Sequence, residues 1–149
     1  MRTCGEPMST RGFTLIELMI VVVIIGVLAA IVSGNYIRMQ ANAKEATVKS
    51  TCHTVQLAAE TWALDNDGIY AADLSDASLT GETIVDMLPH GVLMENPFTR
   101  AMTEPVDGAA GASGETGYEP VADFSGVIIG YVITGHGKDG RVCRYSNGN

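Results

Sequence analysis

The stretch FTLIELMIVVVIIGVLAAIV, Phe13 to Val32, decides the architecture of this 149-residue chain. Its last fifteen residues, Leu18 to Val32, carry no charged or hydrogen-bonding side chain. At about 1.5 Å rise per residue, the whole stretch as a helix covers about 30 Å, the hydrocarbon thickness of a bilayer. The β-branched run Val21 to Ile25 would lower helicity in water. In lipid, though, a lone segment satisfies its backbone only by coiling into a helix. Gly26 is the weak point of that helix. Arg2 and Arg11 precede the segment, whereas Arg38, Lys44 and Lys49 follow it on a long exported region. This asymmetry predicts a cytoplasmic N-terminus and an outside C-terminus. The apolar stretch also outruns the roughly 7–15-residue core of a cleaved secretory signal, so cleavage after it is not expected.

Glu17 stands inside this apolar stretch, where an ionised carboxylate costs several kcal/mol unless it is paired or protonated. One reading places it at the membrane edge, reaching water. The other gives it a positive partner on a second chain, because the segment itself contains no Lys or Arg.

Arg11-Gly12-Phe13-Thr14-Leu15-Ile16-Glu17-Leu18, followed by an unbroken apolar run, resembles the prepilin signature shared by type IV pilins and the pseudopilins of type II secretion. The resemblance implies that prepilin peptidase cuts between Gly12 and Phe13, that the new amino group of Phe13 is methylated, and that Glu17 becomes the fifth residue of the mature chain. It further implies that Glu17 neutralises the N-terminal ammonium of a neighbouring subunit. Pairing the two relieves two groups that are each unfavourable alone in an apolar filament core. Loss of Arg2, Glu6 and Arg11 with the leader leaves 7 basic and 16 acidic residues, a net charge of −9 in place of −8.

Tyr36 to about Asn66 contains neither proline nor glycine, which predicts that the helix continues beyond the membrane. Val48, Cys52, Val55, Ala59 and Trp62 recur at steps of 4, 3, 4 and 3, on one face, and Trp62 is expected in the core. Lys44, Lys49 and Glu60 fall on other faces and are expected in solvent. Asp65-Asn66-Asp67-Gly68 should stop the helix, with Gly68 suited to a left-handed end.

From Ile69 onward, glycine, threonine, aspartate and proline predict turns and short strands. Thr83 to Leu88 reads as a short helix stopped by Pro89, and Asn96-Pro97 as a turn. Asp107 to Gly117, with four glycines and three alanines, reads as a mobile surface loop. Gly126 to Thr134, apolar on both faces, is expected as a central strand, joined through the Gly135 to Gly140 turn to a second strand, Arg141 to Tyr145. The expected fold is therefore α+β. A long N-terminal helix, half membrane-spanning and half amphipathic, packs on a small antiparallel sheet, as in the type IV pilin fold. The expected divisions are a leader at residues 1–12, a transmembrane and assembly helix at 13–35, its amphipathic continuation at 36–68 and a C-terminal domain at 69–149.

None of the three cysteines stands in a zinc spacing, and Cys4 belongs to the leader. Cys52 on the buried helix face and Cys143 on the last strand could join as a disulfide after export, the alternative being two buried thiols. His136, Lys138 and Asp139 read as a solvated turn. In the resembled family, major pseudopilins carry calcium in their C-terminal loops, which keeps calcium at Asp123 and Asp139 as an open alternative. Two carboxylates fall short of the six to eight oxygens calcium takes. No other cofactor is expected. A third reading, a single-pass enzyme using His136, Asp139 and Ser125, has no motif to support it, so no catalytic residue is assigned. The excess of 17 acidic over 9 basic residues disfavours bulk nucleic-acid binding.

The leading function is a structural subunit of a type IV pilus, held as a single-pass protein in the inner membrane and then polymerised at the cell surface for adhesion or motility. Its implied partners are identical subunits, prepilin peptidase, an assembly ATPase and an inner-membrane platform. The alternative is a major pseudopilin of a type II secretion system, working in the periplasm. A disulfide clamp favours the first, and a calcium loop without cysteines the second.

Overall fold

A computed structural model describes residues 12–89 and 94–147. Arg2, Cys4, Glu6, Arg11 and His90 lie outside the described residues. The chain divides into two compact units, residues 1–39 and 40–149.

One helix, α1 (Leu15–Asp65), runs for 51 residues. In the first unit its large apolar side chains from Leu15 to Met39 are all exposed, and it is long and apolar enough to cross a membrane. In the second unit Val48, Cys52, Val55, Ala58, Ala59, Trp62 and Ala63 are buried, so the face expected from the 4-3-4-3 spacing is the one that is covered. Trp62 is a core residue, and its indole Nε1 donates to the Asp76 carbonyl at 3.1 Å, which satisfies its only polar atom.

α1 ends as a Schellman turn, with Gly68 N–H donating to the Ala63 carbonyl at 2.9 Å. Asp67 itself takes the left-handed position at φ 55, and Gly68 follows at φ 84. The amide of Asn66 closes the end by donating to the Trp62 carbonyl at 2.7 Å.

The sheet has four strands in the order β3 (Val106–Asp107), β4 (Thr116–Ala122), β5 (Ile128–His136) and β6 (Arg141–Ser146). β5 lies between β4 and β6 and pairs antiparallel with both, as expected for a strand apolar on two faces. The sheet is not purely antiparallel, because β3 pairs parallel with β4. A separate two-stranded ribbon pairs β1 (Met94–Glu95) with β2 (Met102–Thr103) around the turn that begins at Asn96-Pro97.

Three local expectations are corrected. Thr83 to Leu88 forms turns and not a helix: Asp86 Oδ2 accepts from the Thr83 amide and hydroxyl, but only one turn fits before Pro89. Asp107 to Gly117 is pinned, not free. Ala110 N–H donates to Thr134 Oγ1 at 2.9 Å, Gly114 N–H to the His136 carbonyl at 2.7 Å, and Glu115 Oε2 accepts from Gly111 and Ala112. Gly135 belongs to β5, and the turn proper closes between Gly137 N–H and the Gly140 carbonyl at 2.7 Å.

Glu60 is also not simply solvated. Its Oε1 accepts from the Tyr131 hydroxyl at 2.6 Å and its Oε2 from the Tyr70 hydroxyl at 3.1 Å, tying α1 to the sheet. Asn147 Nδ2 bonds Tyr70 in turn, so the residue after β6 joins this network. Lys44 lies over the Phe98 ring, 5.4 Å from its centroid.

Burial, then the bonds to Glu60 and its negative charge, raise the Tyr70 and Tyr131 phenols above their ordinary 10.0, and burial raises Tyr118 likewise. A folded value above the unfolded one means stability that is complete below pH 10 and lost as pH climbs through the folded values. Absorbance titration of the folded domain should therefore show these three phenols ionising above pH 10, together with unfolding. A normal midpoint near 10 with the fold intact would contradict the network.

Candidate functional site

Gly12, Phe13 and Thr14 precede the helix in non-helical backbone, all exposed. The helix starts behind Thr14 because Thr14 and Glu17 form a reciprocal capping box. Glu17 Oε2 accepts from the Thr14 amide at 3.0 Å and the Thr14 hydroxyl at 2.7 Å, while Glu17 N–H donates to Thr14 Oγ1 at 3.3 Å. The carboxylate thus sits in the first turn of α1, where the helix dipole favours negative charge. Thr14 is a site residue that the reading of Glu17 as an isolated acid overlooks, although the T-x-x-E spacing announces it. Among the described residues, Oε1 of Glu17 has no hydrogen-bond partner.

The second constellation lies under the sheet. Gly135 on β5 is opposite Thr116 on β4 and Cys143 on β6, a single rung across three strands. Cys52 of α1 reaches down onto that rung, with its Sγ 2.7 Å from Cys143 Sγ and 3.8 Å from Thr116 Oγ1. Gly135 makes the room, because a Cβ there would lie 2.5 Å from both sulfurs and 2.8 Å from Val48 Cγ1. A glycine inside a strand marks such a close approach, and this is the sequence signal that locates the site. Burial first, then the hydrogen bond shared with Cys143, pushes the Cys52 thiol up to about 12.

Asp123 and Asp139 are not brought together. Asp123 precedes β5 and Asp139 follows it, and nine residues of strand hold them apart. Asp123 Oδ1 is already occupied by the amides of Ser125 and Val127, at 2.7 and 3.0 Å. Among the described residues no group of three His, Cys, Asp or Glu side chains is placed to hold a metal. The same separation parts Ser125 from His136 and Asp139, so the three residues of the enzyme reading do not come together.

Residues 7–33 match the prokaryotic N-terminal methylation motif. The type IV major pilin protein PilA of Myxococcus xanthus is 47% identical over 67 residues, 45% of this chain and 30% of that protein. The type IV narrow pilus major component PilA5 of Thermus thermophilus is 39% identical over 66 residues, 44% of this chain and 57% of that protein. The chain thus spans about a third to just over half the length of these two relatives. The type IV major fimbrial protein FimA of Dichelobacter nodosus is 38% identical over 120 residues, 80% of this chain and 69% of that protein. No solved structure matches significantly. With a capped apolar helix, its buried continuation on a small sheet and a relative aligned over both, the chain belongs to the type IV pilin family.

Proposed function

We infer that the protein is the structural subunit of a type IV pilus filament. The observation that carries this reading is the first unit of α1, whose large apolar side chains from Leu15 to Met39 are all exposed among the described residues. Lipid covers them in the inner membrane before assembly, and neighbouring copies cover them in the fibre. Residues 1–12 are a leader, 13–35 the membrane and assembly helix, 36–68 its continuation and 69–149 the outer domain. Prepilin peptidase removes the leader after Gly12, the amino group of Phe13 is methylated, and an assembly ATPase with its membrane platform extrudes the subunit to the cell surface. Glu17 takes the ammonium of the next copy through its open Oε1. Cys52 and Cys143 pass two electrons to a thiol oxidant outside the cytoplasm and close as a disulfide, which the facing sulfurs under Gly135 support.

Electron microscopy of sheared surface material, probed with antibody to the outer domain, tests the reading. Long decorated fibres are expected, and a soluble periplasmic monomer would overturn it. Gly12→Val should leave the leader attached in most of the chain, because a β-branched side chain does not fit where the peptidase takes glycine. Intact mass of the membrane-bound protein reads this directly, and normal cleavage would reject it.

A further inference from the structure

We propose that the Phe124 turn of one copy docks head to tail on the cavity lined by Glu45, Lys49 and Arg141 of a second copy of this chain, an inference that rests on the filament reading. Both surfaces belong to the second unit and lie at opposite ends of β5, at about 3.3 Å per residue roughly 30 Å apart.

At one end the β4–β5 turn displays Phe124 fully exposed. The turn is stiff: Asp123 N–H donates to the Val127 carbonyl at 2.8 Å, Gly126 N–H donates to the Asp123 carbonyl, and Asp123 Oδ1 receives two further amides. Ile69, Val127 and Ile129 are exposed on neighbouring chain, Tyr70 N–H being bonded to the Ile128 carbonyl. A rigid turn that holds a bare aromatic ring in water gains nothing for the monomer. The end of α1 breaks a local rule as well, since Asp65 and Asp67 stand at the negative pole of the helix with no basic residue in the last turn.

The opposite end is complementary in charge. No Lys or Arg occurs between Lys49 and Arg100, nor between Arg100 and Lys138. The cations of the second unit are therefore gathered in two segments, 44–49 and 138–144, with Arg100 apart from both. The fold brings these segments together, because Gly137 faces Glu45. Between them opens a cavity of about 350 Å³ lined by Glu45, Lys49, Asp139, Gly140, Arg141 and Val142. It has room for an aromatic ring, and two of its lining residues, Lys49 and Arg141, carry the cations that an aromatic face attracts. Glu45 and Asp139 balance Lys49 and Arg141 in the lining, and Lys138 next to Asp139 adds one positive charge. Two different surfaces at opposite ends make a heterologous contact, the type that generates an open polymer when its rotation does not close a ring.

Cysteine cross-linking of assembled fibres tests the contact. The Phe124→Cys and Arg141→Cys double variant, oxidised in sheared filaments and run without reductant, should give a ladder of oligomers holding most of the subunit, with less than a tenth cross-linked in either single variant. Dimers from Phe124→Cys alone would overturn the proposal in favour of a two-fold contact between turns. Filaments without any ladder would overturn it while leaving the filament reading intact, whereas wild-type protein that forms no filament would sink that reading itself. If the cysteine variants do not assemble, charge exchange decides. Lys49→Glu and Asp65→Lys should each lower filament yield at least tenfold and together restore it, and failure of the pair to restore would overturn the contact.

Discussion

Glu17→Ala is expected to lower filament yield at least 100-fold while leaving the outer domain folded. Two losses follow from removing the carboxylate. The capping box with Thr14 disappears, which costs about 0.5–2 kcal/mol at a helix start. The ammonium of the neighbouring Phe13 is also left unpaired in an apolar surround, where stripping one partner from a buried ion pair costs about 3–5 kcal/mol. The second loss is the larger, and at 1.4 kcal/mol per tenfold it alone exceeds a hundredfold. Thr14→Ala separates the two, because it removes the Thr14 hydroxyl from the box but keeps the charge, so its filament yield should fall only about two- to thirtyfold. Glu17→Gln keeps an acceptor oxygen for the cap and should be nearly as defective as Glu17→Ala. The buried residues of α1 begin only at Val48, so circular dichroism and thermal unfolding of the outer domain should match wild type in all three variants. Fibres from Glu17→Gln at wild-type yield would refute the charge pairing.

The parts of the molecule legible in its sequence are those set by local periodicity. The 4-3-4-3 spacing from Val48 to Trp62 marks the buried face of α1 because a helix repeats side chains on one side at that interval. The two-faced apolar run around Ile128 to Thr134 marks a central strand for a similar reason. β4 is harder to see: Gly117, Glu119 and Pro120 each argue against a strand. Pro120 is tolerated because β3 pairs only with Gly117 and Tyr118, so the missing N–H at position 120 faces no partner strand. Gly117 is required because a Cβ there would lie 2.2 Å from the Gly108 carbonyl. Glu60 looks like any solvated helix glutamate, since its two phenol donors stand 10 and 71 residues away in sequence. The capping box at Thr14 and Glu17 is wholly local and announced by its T-x-x-E spacing, although treating Glu17 as an isolated acid passes over it. Cys52 and Cys143 can be paired from a buried helix face and the last strand, while the rung with Thr116 and Gly135 that seats them exists only in the folded sheet.

Reduction of the Cys52 to Cys143 clamp should destabilise the outer domain by about 4 kcal/mol and lower its Tm by about 15 °C. The two residues are 91 apart, so a disulfide between them would close a long loop and remove correspondingly more freedom from the unfolded chain. Non-reducing peptide mapping of surface material should recover them linked, and free thiols at both positions would dismiss the clamp. In the reduced protein Cys143 should be the residue that reacts. Cys52 is buried and its thiol is pushed up to about 12, so almost none of it is thiolate at neutral pH, whereas Cys143 is partly exposed. A brief pulse of iodoacetamide should label Cys143 at least tenfold more than Cys52. Gly135→Ala should be as damaging as reduction, because the added methyl needs the space both sulfurs fill, at 2.5 Å from each. Its cost should shrink markedly in a Cys52→Ala and Cys143→Ala background, where only Val48 Cγ1 at 2.8 Å resists it. Equal costs in the two backgrounds, read by urea unfolding, would mean that Gly135 serves the strand alone and not the sulfur pair.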